Sequence, residues 1–196
     1  MIGHAGHPEV EGTMGQLLDG IYLVEEVADV AHAPVKNPER VAVVTQTTLS
    51  VDDAAEILAA VKRRFPQVRE PKQQDICYAT QNRQDAVKVL APQVDVVVVV
   101  GSPTSSNSNR LRELAERLGT PAYMVDAPED LQPQWFEGRP RVGLTAGASA
   151  PEHLVRALVE RLQRGFGGET ETRTLIEEDV SFELPRSLRS LAVVSA

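Results

Sequence analysis

The chain has 196 residues, 42% of them hydrophobic and 24% charged, the balance of an ordinary globular protein long enough to bury a proper core. Twenty basic residues against 28 acidic ones leave a net charge of −8, which argues against a nucleic-acid partner, because phosphate backbones call for a basic surplus. The longest apolar run, Val96 to Val100, is strand-sized and far below the ~20 residues that cross a bilayer, so no membrane partner is expected. The opening Met1-Ile2-Gly3-His4 lacks the basic region and apolar stretch of an export signal, and a single cysteine excludes an internal disulfide framework. A reduced, cytoplasmic compartment is the expectation.

The first stretch with chemical content is "HAGHPEVEG", holding His4, His7, Glu9 and Glu11. Its prolines and glycines predict a loop. The step from His4 to His7 could serve a metal, but alone such a pair is more often structural. A histidine here could instead bind phosphate, and a neighbouring glutamate could pass protons. A short strand is expected near Tyr22 to Val24. After it, a pattern of apolar strand, polar loop and amphipathic helix recurs four times. In "VAVVTQTTLSVDDAAEILAAVKRRF" the strand is Val41 to Val44. The helix face is Val51, Ala54, Ala55, Leu58, Val61 and Phe65, with Ser50 and Asp53 as a capping pair. The second unit is "DICYATQNRQDAVKVLA", with Cys77 at a strand end and "ATQNRQ" as the loop.

The third unit, "DVVVVVGSPTSSNSNRLRELAERLG", has a strand buried on both faces. Its helix turns Leu111, Leu114, Ala115 and Leu118 inward and stops at Gly119. A further strand spans Ala122 to Val125. The fourth unit, "RVGLTAGASAPEHLVRALVERLQ", predicts a capping box from Ser149 to Glu152 with Pro151 in the first turn. Beyond Phe166, "GGETETRTLIEEDVSFELP" reads as a polar tail packed across another part of the protein.

Strands alternating with helices define an α/β fold with parallel sheets and βαβ units. Pro66 and Pro71 mark the join between a thin first part, 1–73, and a fuller domain, 74–166, followed by a tail, 167–196. Met1 begins almost on top of a motif, so the chain is expected to start within a domain. In such sheets the loops at the carboxyl ends of the strands collect ligands. Helix N-termini there bind anions, and Thr47, Ser105, Ser106, Asn107 and Ser149 add donors around them. For any one loop, plain helix capping is the simpler account. Four loops converging by fold geometry favour a phosphate or diphosphate site for a small molecule. No P-loop or dinucleotide glycine pattern is present. "GASAP" has some likeness to a nucleophile elbow, with no evident base or acid partner. Cys77 is open to three readings: a small buried hydrophobe, a nucleophile without an evident activating base, or a metal ligand.

Taken together, "GHPEVEGTMGQ", "TQTTLSVDD", "DICYATQNRQ", "VGSPTSSNSNRL" and "GLTAGASAP" closely resemble the LytB-type 4-hydroxy-3-methylbut-2-enyl diphosphate reductases of the methylerythritol phosphate route to isoprenoids. The resemblance runs from Ile2 to about Leu188. It implies two of the three pseudo-equivalent α/β domains of a trefoil-like reductase: an incomplete middle domain, 1–73, and the C-terminal domain, 74–166. It also implies a central [4Fe–4S] cluster, with Cys77 one of its three cysteine ligands. By motif, Glu9 matches the proton donor, and His7, Thr47, Ser105, Ser106, Asn107 and Ser149 match substrate-binding positions. A ferredoxin or flavodoxin is the implied electron donor. The family's other two cysteines and two further histidines belong to an N-terminal domain outside this sequence, so the chain alone is expected to be inactive. The alternative is a cluster-free α/β diphosphate-binding protein without redox activity, but retention of both Glu9 and Cys77 favours the reductase. A cluster bridged between chains would still lack the histidines.

Overall fold

The valine run is the centre of the second half. In the computed structural model, which describes residues 1–71 and 74–189, β1 (Val96–Val100) is the middle strand of a three-stranded parallel sheet, between β2 (Ala122–Val125) and β3 (Val142–Ala146). Val97 pairs with Ala122 on one side and Gly143 on the other. All five valines are 0–1% exposed. Side chains alternate across a strand, so Val97 and Val99 meet α4 (Tyr78–Leu90) and α5 (Ser106–Arg117) through Val87, Leu111 and Ala115. Val96, Val98 and Val100 meet α6 (Glu152–Phe166), Phe136 and Val125 on the other face. Burying the five contributes on the order of 10 kcal/mol before conformational entropy is charged against it. The result is the expected parallel α/β layering. No described helix is long and apolar enough to cross a membrane.

The first half carries α1 (Pro8–Met14), α2 (Val27–His32) and α3 (Val51–Arg64). Its strands are reduced to single bridges: Ile2 pairs with Val24 and with Thr45, and Ala42 with Arg69, all parallel. The expected strand at Val41 to Val44 is therefore extended chain with a few ladder bonds, Ile2 N to Val44 O (2.9 Å) and Val43 N to Arg69 O (3.0 Å) among them, its pairings never growing beyond isolated bridges. These segments nevertheless share a core of their own: Ile2, Val24, Val30, Val43, Leu49, Ile57, Val61 and Phe65.

Several sequence expectations shift. The second unit has no strand before its helix. The buried side chains of α4, Thr80, Gln84 and Val87, recur every three or four residues, so "ATQNRQ" forms the first two turns of α4. On α3, Ala54 and Val61 are buried as expected, as is Phe65 at its end, and Leu58 packs against them, but Ala55 is exposed and Ile57 and Ala60 join the buried face. Leu118 is exposed at the end of α5, where Gly119 turns the chain with φ +86°. Pro151, not Ser149, is the N-cap of α6, and it gives no side-chain cap. A turn closed by Ala150 N to Gly147 O (3.0 Å) delays the helix start. "HAGHPEVEG" is in part the helix α1. The tail has no strand among the described residues. It is exposed and lies along α4, where Glu178 accepts from Asn82 (3.0 Å) and Arg173 donates to Gln93. The domain boundary expected at 73–74 and the tail end, 190–196, lie partly or wholly outside the described residues.

The halves are joined by polar contacts. The buried Gln84 amide donates to Leu49 O (2.8 Å) and accepts from Val51 N (3.0 Å), so one side chain satisfies two backbone groups at the start of α3. Arg117 donates to both carboxylate oxygens of Asp53 at 2.7 and 2.8 Å. That hydrogen-bonded guanidinium, ahead of the smaller help of Ser50, holds the Asp53 carboxyl below its ordinary value of 3.8. A depressed carboxyl stabilises the fold above its unfolded pKa and loses that contribution as pH falls through the folded one. Asp53→Asn should therefore lower stability at neutral pH by about 0.2–1 kcal/mol, the range for a largely exposed pair. The gap from wild type in urea melts should close as pH drops below 3.8; a gap unchanged well below that value would exclude the ion pair as its source.

Candidate functional site

Segment 1–9 is laced into the first half. Gln46 N donates to Ile2 O (2.8 Å). Its buried side chain accepts from His4 N (3.1 Å) and donates to Thr48 Oγ1 (3.1 Å). At Gly3 an added Cβ would sit 2.6 Å from Val10 Cγ2, so only glycine lets α1 pack this closely. His7 is the N-cap of α1, and its Nδ1 accepts from Glu9 N (3.2 Å). An accepting Nδ1 puts the neutral ring's proton on Nε2, which becomes an outward donor. Glu9 then reaches 38 residues along the sequence. Its carboxylate accepts from Thr47 N at 3.0 and 3.2 Å and from Thr47 Oγ1 at 3.0 Å.

The opposite side of residue 47 completes the arrangement. Thr47 O accepts from Cys77 N (3.0 Å), and two residues upstream Asp75 Oδ2 accepts from Thr45 N (2.8 Å). Cys77 is the N-cap of α4, makes no side-chain cap bond and is exposed. The thiol is thus neither a core hydrophobe nor a helix cap. Its carbonyl accepts from Thr80 N (2.9 Å) and Gln81 N (3.0 Å).

From that first turn of α4 the network passes to α5 and the loop after β3. Thr80 Oγ1, buried, accepts from Asn107 Nδ2 (3.2 Å), and Asn107 Oδ1 accepts from Ala148 N (2.9 Å). Asn107 therefore ties α4 to the loop after β3. Ser105 caps α5, and Ser106 is its first residue. Ser105 and the exposed Ser149 line a small pocket of about 120 Å³ with Gly101, Ser102, Asp126 and Pro151. Ser149 is free to do so because Pro151 caps α6 in its place. An added Cβ at Gly101 or Gly147, at the ends of β1 and β3, would lie 2.1 or 2.2 Å from the buried Ser108 Oγ. Both glycines exist to admit that serine.

The expected residues thus fall into two groups: His7, Glu9, Thr47 and Cys77 around the peptide of Thr47, and Ser105, Ser106, Asn107 and Ser149 around the ends of β1 and β3. Thr80 joins them. Sequence reading missed Thr80, Gln46, Ser108 and Asp126. The glycine directly after each of two apolar strands was the available signal for Ser108. Among the described residues no non-glycine has positive φ, so Ser149 lacks the strained turn of a nucleophile elbow. No group of three or more His, Cys, Asp or Glu among the described residues is placed to hold a metal ion.

Fold and site together define a parallel α/β protein with polar strand-end loops at helix N-termini and a free cysteine at the start of α4 whose thiol makes no cap bond. The model of the LytB protein family matches residues 1–163. The chain is 77% identical over 188 residues to the 4-hydroxy-3-methylbut-2-enyl diphosphate reductase of Methylibium petroleiphilum and 69% over 189 to that of Polaromonas sp., covering 96% of this chain and 57% of either relative. The structure of the E-1-hydroxy-2-methyl-but-2-enyl-4-diphosphate reductase from Plasmodium falciparum matches with a TM-score of 0.87 at 32% identity, over 97% of this chain and 60% of that one. This chain belongs to the LytB protein family. It spans less than two thirds of the length of these relatives.

Gly101→Ala tests the packing beneath the serine loop. Forcing a methyl group against Ser108 should cost about 1–3 kcal/mol, the range for overpacking, read as a lower urea midpoint; an unchanged midpoint would show that the loop has room to spare.

Proposed function

We propose that this chain works as part of a 4-hydroxy-3-methylbut-2-enyl diphosphate reductase. The reaction cleaves the substrate's C–O bond with two electrons and two protons, forms a C–H bond and releases water, giving isopentenyl and dimethylallyl diphosphate. The observation that carries the reading is the junction at Thr47, where one residue joins the Glu9 carboxyl, a proton donor when protonated, to the backbone of a free cysteine. Family membership supports it.

In this reading Cys77 is one ligand of a [4Fe–4S] cluster. Its exposed thiol, free of any cap bond, suits the role. With one cysteine in the chain, the other ligands come from outside it, and the chain alone is inactive. When bound, the cluster supplies the electrons and a Lewis acid. Glu9 is the proton donor, and the Thr47 N–H and hydroxyl fix its carboxylate, leaving little side-chain freedom to lose in the transition state. His7, Thr47, Ser105, Ser106, Asn107 and Ser149 bind the substrate, largely through neutral donors to its diphosphate, reinforced by the N-terminus of α5. Asn107 retains one amide hydrogen beyond that given to Thr80, and His7 offers Nε2–H. Two separate hydrophobic cores support a division into a middle domain, 1–73, and a C-terminal domain, 74–166, followed by a tail, 167–196, whose Glu178 accepts from Asn82 of α4. A ferredoxin or flavodoxin in the cytoplasm would supply the electrons.

In a complete reductase carrying this sequence, Glu9→Gln should cut turnover by ~10²-fold or more while substrate affinity stays within a few-fold; near-normal turnover would end the proton-donor assignment. Cys77→Ser in the same background should abolish the cluster's visible absorption, and an unaltered spectrum would remove Cys77 from the ligand set.

A further inference from the structure

We propose that Ser108, a residue outside the substrate-contacting set above, is a positioning residue that turns Ser105 into an obligate hydrogen-bond donor and so tunes the loop for an anion. The inference rests on the reading of Ser105 as a diphosphate ligand.

A serine hydroxyl has one hydrogen to give and two lone pairs to receive. On Ser105 both lone pairs are engaged by one residue: Ser108 N donates at 3.3 Å and Ser108 Oγ at 3.1 Å. The remaining capacity of Ser105 is its own O–H, at the wall of the pocket it shares with Ser149. An oxygen already accepting two bonds is a stronger donor, since successive hydrogen bonds polarise one another. Ser108 is held to this task. It is fully buried, and its Oγ occupies the space that a Cβ on Gly101 or on Gly147 would need. The two glycines make the seat, the seat fixes the Ser108 hydroxyl, and that hydroxyl orients Ser105. A ligand that must itself donate finds no acceptor on Ser105, whereas a phosphate oxygen finds an aligned hydrogen.

The test is a double-mutant cycle on the full chain, with inorganic diphosphate as the probe and ³¹P NMR titration as the readout. Ser105→Ala and Ser108→Ala should each weaken diphosphate binding by roughly 10-fold or more, the loss expected for one hydrogen bond to a charged partner. In the Ser105→Ala background, Ser108→Ala should add no further loss, because its effect passes through the Ser105 hydroxyl. A merely structural Ser108 would weaken binding equally in both backgrounds, and that result overturns the proposal. So does a Ser105-dependent affinity that Ser108→Ala leaves unchanged. Failure of the wild-type chain to bind diphosphate, or binding indifferent to Ser105→Ala, overturns the assignment of Ser105 to the diphosphate and this inference with it.

Discussion

The peptide of Thr47 is the constraint on which the arrangement turns. Its N–H and hydroxyl are committed to Glu9, and its carbonyl to the amide of Cys77. A buried or half-buried backbone group must find a partner, and here the partners come from segments 38 and 30 residues away. The position of α1 and the starting point of α4 are thereby fixed to the same loop. Gln46, immediately before it, anchors the loop to His4 N and Thr48 Oγ1. The proposed proton donor and the proposed cluster ligand thus share one rigid support, the arrangement that reactions sensitive to sub-ångström placement require.

The second half answers with the opposite chemistry. Its strand-end loops present neutral donors to the pocket, and in the proposed reading an acidic chain of net charge −8 holds an anion there without a lysine or arginine among the pocket's lining residues. Helix N-termini and hydroxyls make this possible, since each aligned N–H or O–H contributes partial charge already paid for in folding. Asp126 on the pocket wall works against any anion there, which raises the value of fixed donor directions. Thr80 and Asn107 tie the first turn of α4 to the loop after β3, so the serine loops cannot shift freely with respect to Cys77.

Both halves rely on close approach at glycine. Gly3 admits Val10, and Gly101 with Gly147 admits Ser108. These contacts involve no unusual backbone angle; they are matters of volume. They explain why polar loops, usually the looser part of a fold, are here seated against the end of a sheet whose central strand is fully buried.

The sequence by itself determined the parallel α/β class, the buried valine strand, the stop of α5 at Gly119 and the residue types gathered at the strand ends, because these follow from local periodicity and turn chemistry. It also carried the family, through long motifs in fixed order. Tertiary structure alone decided that "ATQNRQ" is helix, since only burial of Thr80 and Gln84 against other elements distinguishes that stretch from a polar loop. It alone decided that Ser149 leaves the cap of α6 to Pro151, and that Ser108 lies beneath Ser105 between two glycines. The bond from Glu9 to Thr47 likewise spans 38 residues, and no local pattern encodes such a distance; the packing of Ile2 between two short extended segments does.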